Sequence, residues 1–290
     1  MRINHNLASL NIYREHEKVI SRQSVVMNRI SSGFKINSAK EDPNGIASSE
    51  KMRLQIRGLK MAQRNAQDGM SMMQTADGAL SEVSSMIQRI RELTLQSGST
   101  LSDSDKEKIQ GEITQMIEEI DNIIDNSEFN GKNLLRAGKD SKEKYDNNNP
   151  KLEKMPVGAN VGETVDIPFF DLSSSNIGDE NKKLMDLKGT GLKDLGIDEC
   201  LSVIDSSMAT ITSIRSKYGS LSNRFEGTYN EINEIHDTIV GTESKIRDTD
   251  VAESMMNLSR DNILVEAGNA MMVQANKFPQ DALRVLEGLK

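Results

Sequence analysis

Little in this sequence could serve a disulfide, an aromatic core or a membrane span. Its 290 residues hold one cysteine, Cys200, so no intrachain disulfide forms and multi-cysteine zinc sites are excluded. Tryptophan is absent and aromatics are 3% of the chain. No apolar run reaches the roughly eighteen residues that suggest a membrane helix. Arg2, Arg14, Glu15, Glu17 and Lys18 interrupt any signal-peptide core near the start. By these signals alone the chain would be cytoplasmic. A net charge of −8 argues against a general nucleic-acid binder, whose affinity comes from neutralising phosphates.

Catalytic chemistry is missing as well. His5, His16 and His236 form no HExxH or HxxxH pair and read as surface histidines. No glycine-rich phosphate loop follows a strand, no G-x-S-x-G turn occurs, and Cys200 has no histidine near it in sequence. No catalytic, cofactor-binding or metal residue is assigned, and the protein reads as a non-enzyme.

What is present is helical periodicity. Residues 4–32 read as a polar, marginal helix, and the first forty residues carry seven Lys/Arg against two Glu. Gly33 is a helix terminator, because glycine enters the left-handed C′ conformation without steric cost. Asp42-Pro43 is a helix start: Asp accepts an orphan N–H, and Pro has no N–H to orphan. From Pro43 to about Ser97, apolar residues from Met52 to Ile90 advance 38 residues in eleven steps, close to a coiled-coil seam. Such a helix would be roughly 80 Å long. Gly58 and Gly69 inside it mark either close approach of another helix or tolerated glycines.

Ser102-x-x-Asp105 resembles a capping box before a third helix with Ile109, Ile113, Met116, Ile120 and Ile124 at helical spacing. Its nine acids and two lysines between Leu101 and Glu128 suggest a solvated face. The middle is Asn- and Gly-rich. "KYDNNNPKLEK" reads as loop and "ETVDIPFF" as strand. Ser173–Ser175 are candidate exposed hydroxyls for glycosylation. Asp198 reads as the cap of a second long heptad helix, Leu201 to Ile239, again eleven steps over 38 residues. A last helix runs from about Asp250 to Asn276, and Pro279 should kink or end it.

The layout is palindromic. The expected fold is mainly α: a long antiparallel helical hairpin of coiled-coil rods, with paired N- and C-terminal helices and a small β-containing tip.

"MRINHNLASLN", "RISSGFKINSAKEDPNGIA", "QIRGLKMAQRNAQDGMSMMQTADGALSEV", "SEFNGKNLL", "RDTDVAESMMNLSRDNIL" and "ANKFPQDALRVL" resemble bacterial flagellin, in order and over nearly the whole chain except about 140–195. The resemblance implies a subunit that polymerises into the flagellar filament for motility and travels unfolded through the flagellar export channel, so the final location is extracellular. It implies segments 1–42 and 250–290 as the inner core plus spoke, 43–140 and 198–249 as the rod domain, and 141–197 as a short variable segment. Inner-core assembly residues would be Ile3, Leu7, Leu10, Val26, Ile30, Leu258, Ile263, Leu264, Met271, Val273, Leu283 and Leu286. Gly33, Asp42 and Pro43 would form the spoke. Implied partners are further copies of the chain, the cap and hook-junction proteins, the export apparatus and an export chaperone at the C-terminal region, with no nucleic acid and no membrane insertion. "QRIRELTL" is similar to the stretch read by Toll-like receptor 5, with Arg89 and Leu93 at the key positions and Glu112 as a third. A hook–filament junction protein and a cytoplasmic signalling hairpin are the alternatives.

Overall fold

The computed structural model describes residues 6–98, 102–136, 150–178, 182–189 and 196–287. Ile3, and the side chains of Leu283 and Leu286, lie outside the described residues. Five α-helices are described: α1 (Leu7–Ser32), α2 (Pro43–Ser97), α3 (Asp103–Asn126), α4 (Ile197–Arg247) and α5 (Val251–Glu287). Two short hairpins and one 3-10 turn, Leu184–Leu187, complete the described elements. The protein is mainly helical, with α2 paired to α4, α1 paired to α5, and a small β region in the middle. Two compact units result, one of Met1–Ile56 with Asp237–Lys290, the other of Arg57–His236.

In the Arg57–His236 unit the heptad stripe does form the seam. Leu59, Ala62, Ala66, Met73, Ala76, Leu80, Val83, Ile87 and Ile90 of α2 are buried. From Ala66 onward they share one core with Ile204, Ile211, Ile214, Tyr218 and Phe225 of α4 and the isoleucine stripe of α3, to which Ile117 also belongs. Burial stabilises by about 1.5–3 kcal/mol per side chain of this size. Polar pairs mark the antiparallel register of α2 and α4. Gln63 Nε2 donates to Asn233 Oδ1, Arg215 Nε to Asp77 Oδ1 at 2.9 Å, and Arg91 Nε to Asp205 Oδ1 at 3.0 Å. Gln63, Asp77 and Arg91 recur every two heptads and so stay on one edge of the seam.

The middle segment packs onto this bundle. Strands β1 (Glu128–Phe129) and β2 (Lys132–Asn133) are joined by Asn130-Gly131, whose φ of 52° and 75° make a primed turn suited to the strand twist. Strands β3 (Lys151–Pro156) and β4 (Thr164–Phe169) pair antiparallel, Lys151 opposite Phe169. β4 was expected; β3 corrects the loop reading of Lys151–Lys154. Charge and polarity hid it: only Leu152 and Met155 are apolar in it, whereas β4 supplies the buried alternation Val165, Ile167, Phe169. Tyr218 donates to the Pro168 carbonyl at 3.2 Å, and burial pushes its phenol pKa up. Phe170 packs edge-on against Tyr218 with centroids 5.8 Å apart.

Both rod glycines are close approaches. A Cβ on Gly58 would sit 3.1 Å from Ala159 Cβ, in the loop between β3 and β4, so there a hairpin loop and not a helix approaches. A Cβ on Gly69 would sit 2.9 Å from the Phe225 ring of α4. The acidic α3 is likewise not purely a solvated face. Asp121 accepts from the backbone N–H and the hydroxyl of Ser174, each at 2.8 Å, and Asp125 pairs with Arg136. Consequently Ser173 and Ser174 are buried, and of that triplet only Ser175 is exposed. The Ser102–Asp105 cap forms as expected, while Asp198 does not cap α4 but lies inside its first turn, the helix starting at Ile197.

The other unit contains α1 and α5, antiparallel. α5 presents Ser254, Asp261, Gly268 and Ala275, each one heptad after the last; the first two and Ala275 are buried. A Cβ on Gly268 would lie 3.0 Å from His16 Cδ2. His16 is therefore not a surface histidine; its Nε2 is buried and makes no hydrogen bond among the described residues.

Pro279 does not end α5, which continues to Glu287. Proline removes the N–H that would bond the carbonyl four residues back, here Ala275. That carbonyl instead accepts from Asn6 Nδ2 at 2.8 Å, while Asn6 Oδ1 caps α1 by accepting from Ser9 N–H at 3.1 Å. One amide satisfies orphan groups on two helices. Asn6→Asp keeps the cap and loses the donor, whereas Asn6→Ala loses both. Measured by hydrogen exchange of α1 amides in assembled material, Asn6→Ala is expected to lose about 1–3 kcal/mol of protection and Asn6→Asp an amount set by the Ala275 contact alone. Equal protection in all three chains would show that neither bond matters.

Candidate functional site

The α1–α5 pair is inverted relative to a soluble hairpin. The most buried positions of α5 are small or polar, and many of the pair's large aliphatic side chains point away. Leu7 is 67% exposed, Ile263 65% and Met271 57%. Leu10, Leu264 and Val273 are exposed too, while Val26, Ile30 and Leu258 are partly buried. Met255, Met256, Ser259, Arg260, Ile263 and Leu264 line an open apolar groove along α5. Exposed apolar surface on this scale marks a contact face. One signal in the sequence would have found the inversion: the strict heptad of Ser254, Asp261, Gly268 and Ala275, a seam of small residues that apolar periodicity overlooks.

The connector between α1 and α2 has the helix stop and the helix start read from the sequence, and more is built with it. Gly33 takes φ 74° and its N–H bonds the Arg29 carbonyl at 2.9 Å. Asp42 Oδ1 accepts from Asn44 and Gly45 N–H at 3.1 and 2.9 Å, with Pro43 at the first helical position. The return connector joins it. Phe34 bridges Asp248, Lys35 N–H donates to the Arg247 carbonyl at 2.7 Å, and Thr249 N–H donates to the Gly33 carbonyl at 3.0 Å. The Arg247 guanidinium stacks 4.9 Å from the Phe34 ring centroid and donates to Glu50 at 2.8 Å, which holds Glu50 below the usual carboxylate range. Arg247 and Phe34 are connector residues that motif reading missed, because their partnership spans the whole chain.

The receptor-like stretch divides between surface and core. Arg89 is 50% exposed, donates to Glu92 at 2.9 Å and lies 3.9 Å from Glu112, so two of the three residues share a surface. Leu93 does not: it is 2% exposed, within the core, and the exposed apolar side chain of this stretch is Leu95.

Among the described residues no group of three His, Cys, Asp or Glu could hold a metal, and no helix is long and apolar enough to cross a membrane. Cys200 is buried at the start of α4, and desolvation pushes its thiol pKa up, away from nucleophilic use.

An inverted terminal helix pair and a heptad bundle are the parts of a structural subunit with a face left open for contact. The sequence matches the bacterial flagellin N-terminal helical region over residues 3–140 and the bacterial flagellin C-terminal helical region over residues 201–286. It is 38% identical to the flagellin of Bacillus subtilis (strain 168), over 99% of this chain and 100% of the relative. It is 34% identical to the flagellar filament 31.3 kDa core protein of Treponema maltophilum, with the same coverage. A putative flagellar hook-associated protein from Vibrio parahaemolyticus shares the fold, with TM-score 0.59 and 16% identity over 72% of this chain and 100% of that one. The chain belongs to the bacterial flagellins, structural and non-enzymatic subunits of the extracellular flagellar filament.

Proposed function

We propose that α1 and α5 are the polymerisation device of this subunit. Their outward aliphatic residues would be covered by the same helices of neighbouring copies, giving a heterologous contact that repeats as an open helix. The observation that carries this reading is the inversion of the pair, exposed Leu7, Ile263 and Met271 outside a seam of Ser, Asp, Gly and Ala. The terminal helices order as they assemble, since α1 has a single buried apolar residue, Val19, within its own chain. The subunit is exported unfolded, with a chaperone on its C-terminal region beforehand, and meets cap and hook-junction proteins at the filament ends. Segments 1–42 and 250–290 are the inner core and spoke, 43–140 and 198–249 the rod domain, and 141–197 the variable insert. Arg89 and Glu112 supply the surface read by Toll-like receptor 5, and Leu93 holds that helix in place from the core.

The test adds purified chain to short filament seeds and compares it with a chain lacking residues 1–40 by negative-stain imaging. Elongation by the full chain alone is the expected result. Elongation by both, or by neither while seeds stay intact, rejects the termini as the device.

A further inference from the structure

We propose that Asp261 sets the register in which α5 pairs with α1. The inference rests on the assembly reading. Because Ser254, Asp261, Gly268 and Ala275 repeat every seven residues, a slip of one heptad sets one small residue where another stood. Shape therefore discriminates only at Gly268, the one position of the four without a Cβ, which lies against His16. The polar content discriminates as well.

Asp261 is 1% exposed and neither carboxylate oxygen receives a hydrogen bond among the described residues. Its countercharges are Arg22 Nη2 on α1 and Arg260 Nε on α5, each 3.8 Å from Oδ1. Arg260 moves with Asp261 in every register, so of the two countercharges only the one from α1 changes with register. Beside it, Gln23 Nε2 donates to Asn262 Oδ1 at 2.5 Å. A slip of seven residues one way sets Glu15 against Asp261, carboxylate against carboxylate, and puts the Asp261 side chain at His16 in place of Gly268. The opposite slip offers Arg29, but it drives the Ala275 methyl at His16, where even a Cβ on Gly268 would stand 3.0 Å from the ring. It also pulls the Ala275 carbonyl from Asn6 Nδ2.

An aspartate here is a poor choice for affinity and a good one for discrimination. An apolar residue of similar size would hold the helices together in more than one register, as a buried polar residue in a coiled-coil seam prevents. Register matters in a polymer: one heptad of slip moves every outward residue of α5 by about 10 Å along α1, out of line with its neighbours.

The test uses cysteine pairs in the full chain carrying Cys200→Ser, assembled into filaments, collected by sedimentation and then oxidised. Gln23→Cys with Asn262→Cys reports the native register. His16→Cys or Ile30→Cys with Asn262→Cys reports a slip of one heptad either way. Intrachain disulfides are read from gel mobility. With Asp261 intact, the native pair is expected to exceed either slipped pair by more than about tenfold. Asp261→Leu is expected to bring a slipped pair to within about threefold of the native one, and the isosteric Asp261→Asn to fall between. An undiminished native preference in Asp261→Leu, or in Asp261→Asn should the leucine chain not sediment, overturns the proposal. A Cys200→Ser chain that forms no filaments at all would count against the assembly reading instead.

Discussion

A chain carrying Ile263→Asp and Met271→Asp should need at least about 100-fold more protein to form filaments, while the Arg57–His236 unit melts unchanged. Both residues lie on the outer face of α5, at 65% and 57% exposure, so the isolated subunit loses little when they change. In the polymer each would give up about 1.5–3 kcal/mol of apolar burial. Each would also bring a carboxylate that must be desolvated or solvated at the interface's expense. Two such losses total at least about 3 kcal/mol, and 1.4 kcal/mol is tenfold in an equilibrium constant. The critical concentration from pelleting checks the first half, and circular dichroism melting checks the second. An unchanged critical concentration would remove the outward face from the assembly mechanism.

The largest expected loss of stability within a subunit comes from Phe225→Ala. Phe225 is fully buried, and its ring lies over Gly69, whose missing Cβ leaves that ring its place beside the Met155 sulfur. Truncation removes a core ring and leaves a cavity where α2, α4 and β3 meet, which costs about 3–5 kcal/mol. In a unit of this size each kcal/mol is worth about 2–4 °C in Tm, so a fall of about 6–20 °C is expected. The reciprocal change separates cavity from chemistry. Gly69→Leu alone should destabilise by about 1–3 kcal/mol through overpacking, partly offset by about 1 kcal/mol of helix propensity. Placed with Phe225→Ala it should fill the hole and recover part of the lost Tm. A double variant no more stable than the sum of the singles would mean that the two sites do not share the space.

Much of this was legible in the sequence because much of it is local. Gly33 and Asp42-Pro43 end and start helices through their own backbone and side-chain groups, and the structure has them so. The Leu59–Ile90 stripe declares a buried face by spacing alone. Other features depended on partners far away in the chain. Pro279 reads as a helix end until Asn6 takes the carbonyl it orphans. Lys151–Lys154 reads as loop until β4 pairs with it. Ser173 and Ser174 read as exposed until Asp121 accepts from Ser174 and the segment is buried. Leu93 and Leu95, two residues apart, differ in position on the helix surface, and only packing against the rest of the bundle shows that Leu93 is the one inside.

Apolar spacing, caps and turn residues determined by themselves that this chain is a set of long helices around a small β insert, since each acts within a few residues of backbone. What α1 and α5 present outward was decided only by tertiary structure. Periodicity marks a stripe on a helix but not what the stripe faces. In this pair the small residues of α5 meet α1 side chains such as His16 because they let the helices come close, and many of the large ones stay exposed, where the proposed assembly would cover them.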